Sequence, residues 1–234
     1  MPQRQEPATG SKRPFFTPAL FQFLSELKVN NDREWFQANK ARFEAEVKGP
    51  MLAFVTAFAE PLERINKHYV ADPRPVGGSM FRINRDTRFA HDKSPYKTNV
   101  GAQFRHRDCT KDVHSPGFYL HLEPGGCFAT TGLWHPDPEP LHKVRERIVA
   151  KTRAWKALQD GGIEVLGDAL KRVPQGFDPG HPFAGDLKLK DFYTHLPLTE
   201  QEVCGPDFLE RFTEACRQGA PLAAFLTKAL DLPW

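Results

Sequence analysis

From residue 15 onward the hydrophobic positions keep one period and then change to another. Leu20, Leu24 and Leu27 recur at helical spacing behind Thr17, an N-cap residue, and Pro18 at the first helical position, with Phe16 and Phe21 at the two staple positions. Asn31, with Glu34 three residues on, predicts a capped second helix that buries Phe36, Phe43 and Val47 and stops at Gly49-Pro50. A third helix carries Met51, Val55, Phe58, Leu62, Ile65 and Tyr69, and Pro61 inside it predicts a kink or break. After Pro73, Pro75 and Gly77-Gly78 the pattern turns to strands at residues 80–84, 98–105, 117–123 and 127–134, the last two joined by Pro124-Gly125-Gly126.

A long helix follows from Glu139, with Leu141, Val144, Ile148, Trp155 and Leu158 facing inward. Shorter helices are predicted over residues 163–172, from Thr199 with a capping box to Glu202, and over 221–230. Helices, then consecutive strands, then helices argue for an α+β fold and against a doubly wound sheet. The expected architecture is an antiparallel meander of about four strands flanked by N-terminal and C-terminal helices. Residues 1–14 are polar and aperiodic and read as a disordered tail, leaving 15–234 as a single domain.

Composition agrees with a globular chain: 234 residues, 40% hydrophobic and 26% charged, enough to bury a core without disulfides. Cys109, Cys127, Cys204 and Cys216 form no C-x-x-C pair and read as reduced intracellular thiols. The strongest apolar stretch, residues 51–59, is too short to cross a bilayer, and the N-terminus lacks the apolar core of a leader, so a cytoplasmic location is expected. The formal charge of +3 hides an uneven distribution. Residues 82–107 hold seven Lys/Arg against two carboxylates, and residues 143–156 hold six against one, so two blocks of +5 sit on an acidic remainder.

The densest run of polar chemistry is Phe81-Arg82-Ile83-Asn84-Arg85-Asp86-Thr87-Arg88-Phe89-Ala90-His91-Asp92-Lys93-Ser94-Pro95-Tyr96-Lys97-Thr98. It resembles the R-x-x-R-D-x-R-F-x-x-D-K-x-x-Y-K signature of a family of conserved hypothetical proteins of about this length (DUF2461-type). Asn30-Asn31-Asp32-Arg33-Glu34-Trp35-Phe36, the stretch Gly117-Phe118-Tyr119-Leu120-His121-Leu122-Glu123-Pro124-Gly125 and Lys188-Leu189-Lys190-Asp191-Phe192 extend the resemblance over most of the chain. The family has no assigned function, so the resemblance implies no activity.

The residues themselves suggest an anion site. Guanidinium forks bind phosphate or carboxylate bidentately and keep their charge when partly dehydrated. Arg82, Arg85 and Arg88 would form the donor array, Asp86 would orient it, and Lys93, Tyr96 and Lys97 would return to it on a proline turn. Trp35 and Lys190 are accessory candidates because they sit in the other family-like motifs. The ligand class is a phosphate, a nucleotide or an acidic metabolite. A rival reading makes the same cluster an internal ion-pair network with no ligand, against which the surplus positive charge weighs.

Asp86, His91 and Asp92 could accept a proton, but no nucleophile elbow, P-loop or zinc-protease motif is present, and Ser94 reads as a turn residue. The sequence therefore names neither a catalytic residue nor a cofactor. His106, Asp108, Cys109, Asp112 and His114 follow no structural zinc spacing and read as a polar loop, so no metal is assigned. His121, His135, His142, His181 and His195 read as satisfied or surface imidazoles. In the second basic block Lys143, Arg147 and Lys151 step by four along a helix, which is either a solvated face or a phosphate-backbone contact for nucleic acid. Aromatic interleaving for base stacking is weak there.

Overall fold

A computed structural model describes residues 13–88, 90–109 and 114–234. The expected tail lies outside the described residues except for its last two positions, and so does Phe89 of the signature run.

The N-terminal layer is α1 (Pro18–Val29), α2 (Arg33–Ala38), α3 (Lys40–Arg42) and α4 (Gly49–Ile65), the last two joined by a π-helical turn at Phe43–Lys48. Thr17 and Pro18 start α1 at the expected place, with Phe16 and Phe21 buried, but the Thr17 side chain makes no capping hydrogen bond. The cap of α2 is Asp32, whose carboxylate accepts the Trp35 N–H at 2.8 Å, so Asn31 is not the cap. Gly49-Pro50 does not stop the helix either. The Gly49 N–H reaches the Glu44 carbonyl five residues back, and this wider turn falls where Pro50 has no N–H to offer. Pro61 also stays within α4, which runs on to Ile65.

The sheet is antiparallel, in the order β1 (Tyr69–Val70), β2 (Val100–His106), β3 (Gly117–Leu122), β4 (Cys127–Leu133), β5 (Phe192–Tyr193), with β6 (Leu196–Leu198) also paired to β4. The meander β2-β3-β4 matches three of the expected strands. The fourth, residues 80–84, is not a ladder strand; it touches its neighbours only through isolated bridges, Met80 to Ala102 and Asn84 to Tyr96. It is an extended arm whose alternation reflects packing rather than continuous pairing. The short edge strands β1, β5 and β6 carry too few residues to show a period.

C-terminal to the meander, α5 (Pro138–Ala150) and α6 (Thr152–Asp160) replace the expected single long helix. The break at Lys151 (φ −124°, ψ 40°) redirects α6, so that the Trp155 indole N–H reaches Asp186 Oδ2 at 2.6 Å. Residues 163–172 are not helical. Leu166 exchanges backbone bonds of 2.7 and 3.0 Å with Tyr193, and Lys190 N–H bonds the Asp168 carbonyl at 2.7 Å, so this stretch is held extended by the chain that follows. After α7 (Ala184–Leu187) and the capping-box helix α8 (Glu200–Val203), α9 runs from Phe208 to Ala229. It therefore begins well before the expected start at 221 and contains Pro221.

One face of the sheet is the core wall. Val100, Ala102, Phe104 and His106 of β2, Phe118, Leu120 and Leu122 of β3, and Cys127, Ala129 and Leu133 of β4 alternate inward and are buried. Helices α4 and α9 pack on that face, with the Phe58 ring 4.7 Å from Phe104 and 4.9 Å from Phe212. Gly219 of α9 lets helix and sheet touch, since a Cβ there would overlap Thr131. A second cluster around Trp155, Phe192 and Leu226 fills the space under α5, α6 and α9. Among the described residues no helix is long and apolar enough to cross a membrane.

Candidate functional site

Among the described residues no helix covers the centre of the opposite face of the sheet. Gln103, Tyr119, His121, Phe128 and Thr130 alternate outward there and, with Phe81, Trp134, Tyr193 and His195, line a cavity of about 570 Å³. Gly101, Gly117 and Gly132 occupy outward positions, and neighbouring atoms fill the space above each of them. Gly101 is required by its neighbour, because a Cβ would overlap the Tyr119 phenol that lies across β2. The His121 ring stacks on Phe128 at 4.5 Å and 10°, and Phe128 meets His195 at 4.8 Å.

Tyr119, His121 and Glu123 follow one another at alternate positions of β3 and its end, so their side chains share this face. Tyr119 Oη is 2.9 Å from His121 Nδ1, His121 Nε2 is 3.3 Å from Glu123 Oε2, and Thr98 Oγ1 is 3.3 Å from Glu123 Oε1. Burial holds the Tyr119 phenol well above its ordinary pKa. Burial also depresses His121, partly offset by its bond to Glu123.

At the mouth of the cavity the signature run folds into two arms. Arg85 N–H bonds the Pro95 carbonyl at 2.9 Å and Lys97 N–H bonds the Ile83 carbonyl at 2.8 Å. From α1's C-terminal loop, Asn31 clamps the second arm: its Nδ2 donates to the Tyr96 carbonyl and its Oδ1 accepts the Tyr96 N–H, both at 3.0 Å. Tyr96 itself is 5% exposed and stacks on Phe36 at 4.1 Å. It borders the site through its backbone while its ring belongs to the core.

The cations divide into two sets. Arg88 pairs with Asp86 at 2.7 Å, which holds the Asp86 carboxyl down at about 2, and Lys93 Nζ donates to the Thr87 carbonyl at 2.9 Å. These three brace the loop. Arg85 and Lys97 instead line two adjoining clefts, one shared with Asp86, Asn99, Phe81, Tyr119 and His121, the other with Lys28, Asp92 and Ser94. Arg85 is ion-paired with Asp92, whose carboxyl Ser94 and Arg85 together hold well below its usual range. Lys97 has no carboxylate partner among the described residues; its ammonium lies 5.2 Å over the Phe81 ring. Burial, and then exposed Arg82, push Lys97 below its ordinary pKa.

Of the remaining candidates, Trp35 packs on Phe23 at 5.6 Å and Lys190 pairs with Asp168 at 3.3 Å; neither lines these clefts. His106 is buried, with Nε2 2.9 Å from the Pro233 carbonyl, and His114 Nδ1 is 3.0 Å from the Trp134 carbonyl. Asp112, between them in sequence, lies outside the described residues. In the second basic block Lys143 is 3.3 Å from Asp231, the Arg147 guanidinium lies 5.3 Å over Phe225, and Arg145 is buried and bonds the Leu187 and Leu189 carbonyls. These three tie α5 to the C-terminal helix and to residues 187–189, while Lys151, Arg153 and Lys156 are exposed.

A family model described as conserved hypothetical protein (DUF2461) matches residues 19–225. The chain belongs to this family. The matched span takes in the basic loop, the open sheet face and the Asn31 clamp, so the site lies wholly inside the family's common domain. Among curated proteins no match is found.

Sequence reading missed the polar row on β3. Its signal was present in the alternation of Tyr119, His121 and Glu123 with Phe118, Leu120 and Leu122, which puts three hydrogen-bonding groups on one face of a strand.

Proposed function

We propose that this protein binds a small organic anion, phosphorylated or nucleotide-like. The charged group rests on Arg85 and Lys97 with Arg82 beside them, and the flat apolar part enters the cavity floored by Phe128. The observation that carries this reading is Lys97: a half-buried ammonium without a carboxylate partner among the described residues, in a cleft sharing Phe81, Tyr119 and His121 with the aromatic cavity. An ion-pair network whose only task is structural would match its buried cation with an anion. The cavity volume falls within the roughly 300–1,000 Å³ usual for small-molecule sites. Arg88, Asp86 and Lys93 keep the loop in shape, and Asn31 fixes the arm that carries Lys97.

Thermal unfolding with phenyl phosphate tests this. A ligand at a hundred times its Kd stabilises by about 2.7 kcal/mol, a rise of about 5–10 °C for a domain of this size. The rise should vanish in Arg85→Ala and Lys97→Ala. No shift at low ionic strength, or the same shift in the variants, would refute the reading.

A further inference from the structure

We propose that Tyr119, His121 and Glu123 form a proton relay, so that the cavity performs general-base chemistry on a planar anion bearing a C–H acidified by a neighbouring carbonyl. The choice of an anionic substrate rests on the function proposed above; the relay itself stands on the geometry of β3. A carboxylate only accepts, so Glu123 fixes the proton of His121 on Nε2 and leaves Nδ1 to accept the Tyr119 O–H. Tyr119 Oη keeps a lone pair, and Tyr119 and His121 border both the aromatic cavity and the basic cleft. Phe128 beneath the imidazole and Gly101 beneath the phenol hold both rings in place.

In the step, the substrate C–H proton passes to Tyr119 Oη while the phenol's own proton passes to His121 Nδ1. The C–H electron pair stays with the substrate as an enolate, and the new imidazolium lies against the Glu123 carboxylate. Returning the proton to carbon or to the enolate oxygen completes an exchange or a tautomerisation, with no other reactant. Lys97 and Arg85 face the charge that develops. Burial keeps the resting phenol protonated and the resting imidazole neutral, so the relay begins ready to take up one proton.

The charged and titratable groups facing His121 are Tyr119 and Glu123 on its own strand, Lys97, Arg85 and Asp86 across the cleft, and His195 beyond Phe128. Of these Glu123 alone bonds the imidazole through a carboxylate. The rate should therefore rise with pH through a midpoint below the ordinary histidine value of 6.5 and then level off.

The test follows loss of the methylene proton signal of phenylpyruvate in deuterated buffer by NMR, with the full chain. The wild-type protein should speed exchange about 100-fold or more over buffer. Tyr119→Phe and His121→Gln should return it to the buffer rate, and Glu123→Gln should slow it and lower the pH midpoint. Gly101→Ala, which displaces the phenol while keeping every relay residue, should slow it as well. Arg85→Ala should raise the KM with little change at saturation.

Calorimetry with phenylpyruvate separates the two claims, and the melting temperature of each variant reports folding. Binding without exchange overturns the relay and leaves the anion site standing. Exchange that needs Tyr119 and His121 but is indifferent to Arg85 and Lys97 overturns the anion reading alone, and neither binding nor exchange overturns both. Nitrogen-15 NMR of His121 tests the relay without any ligand: a midpoint at the ordinary value, unmoved by Glu123→Gln, would overturn it.

Discussion

Asn31→Ala links the fold to the site most sharply. Asn31 makes two hydrogen bonds of 3.0 Å to the backbone of Tyr96, a buried residue, and the neighbouring Lys97 is tied to Ile83 by a 2.8 Å backbone bond. Each intramolecular hydrogen bond contributes about 1 kcal/mol net, and stranding a partly buried N–H and C=O adds to the loss. The variant should lose about 2–3 kcal/mol, a fall of about 5–10 °C in melting temperature. Urea unfolding should show a lower midpoint with an unchanged slope, because the folded core is intact. Phenyl phosphate affinity should fall in the same variant, since the arm carrying Lys97 is released. Asn30→Ala is the control, as Asn30 Nδ2 bonds the Glu26 carbonyl at an exposed helix end. A loss below about 0.5 kcal/mol, or one equal to that of Asn30→Ala, would refute the clamp.

Other outcomes follow from the same geometry. Phe58→Ala removes a fully buried ring packed on Phe104 and Phe212 and should cost about 3–5 kcal/mol in denaturant unfolding. Asp86 has its pKa lowered from 3.8 to about 2 by Arg88, so its contribution is complete above its unfolded value and is lost as pH falls through that window. Asp86→Asn should flatten the stability–pH curve there, and an unchanged curve would remove the Asp86–Arg88 brace. The Cys216 thiol is fully buried with its pKa pushed well up, so a thiol reagent at mildly alkaline pH should label partly exposed Cys109 long before Cys216, which should react only on unfolding.

The sheet was legible in the sequence where strands are long enough to show alternation. Residues 100–106, 117–122 and 127–133 each bury one face, and Gly125 marks the turn between the last two. Three further strands of two or three residues have no period to read. Helix ends were less legible because proline is ambiguous: Pro18 starts a helix, whereas Pro50 and Pro221 lie within continuous helical runs, Pro50 by way of a π turn. Residues 163–172 have a helical pattern but are held extended by partners in residues 188–193, which no local signal encodes.

The site was legible in part. Arg85 and Lys97 line one cleft while Arg82 is exposed outside its lining, and Arg88, Asp86 and Lys93, inseparable from them in sequence, are tied to one another or to the backbone of the loop. The tyrosine chosen from sequence, Tyr96, is a core ring, and the phenol in the cleft is Tyr119 on a distant strand. Charge runs report where cations lie along the chain; which of them already has a partner depends on tertiary contacts.

If the cleft binds as proposed, a cation pair and an aromatic cavity serve one ligand. Calorimetric titration of phenyl phosphate and inorganic phosphate into the wild-type protein, Lys97→Ala and Phe128→Ala tests it directly. Phenyl phosphate should bind the wild type more tightly than phosphate. Lys97→Ala should weaken both by about ten-fold or more, in line with the roughly 1.5–3 kcal/mol of a hydrogen bond to a charged group. Phe128→Ala should spare phosphate and erase the advantage of the phenyl ring. Equal affinities for the two anions in the wild type, or binding indifferent to Lys97, would contradict it.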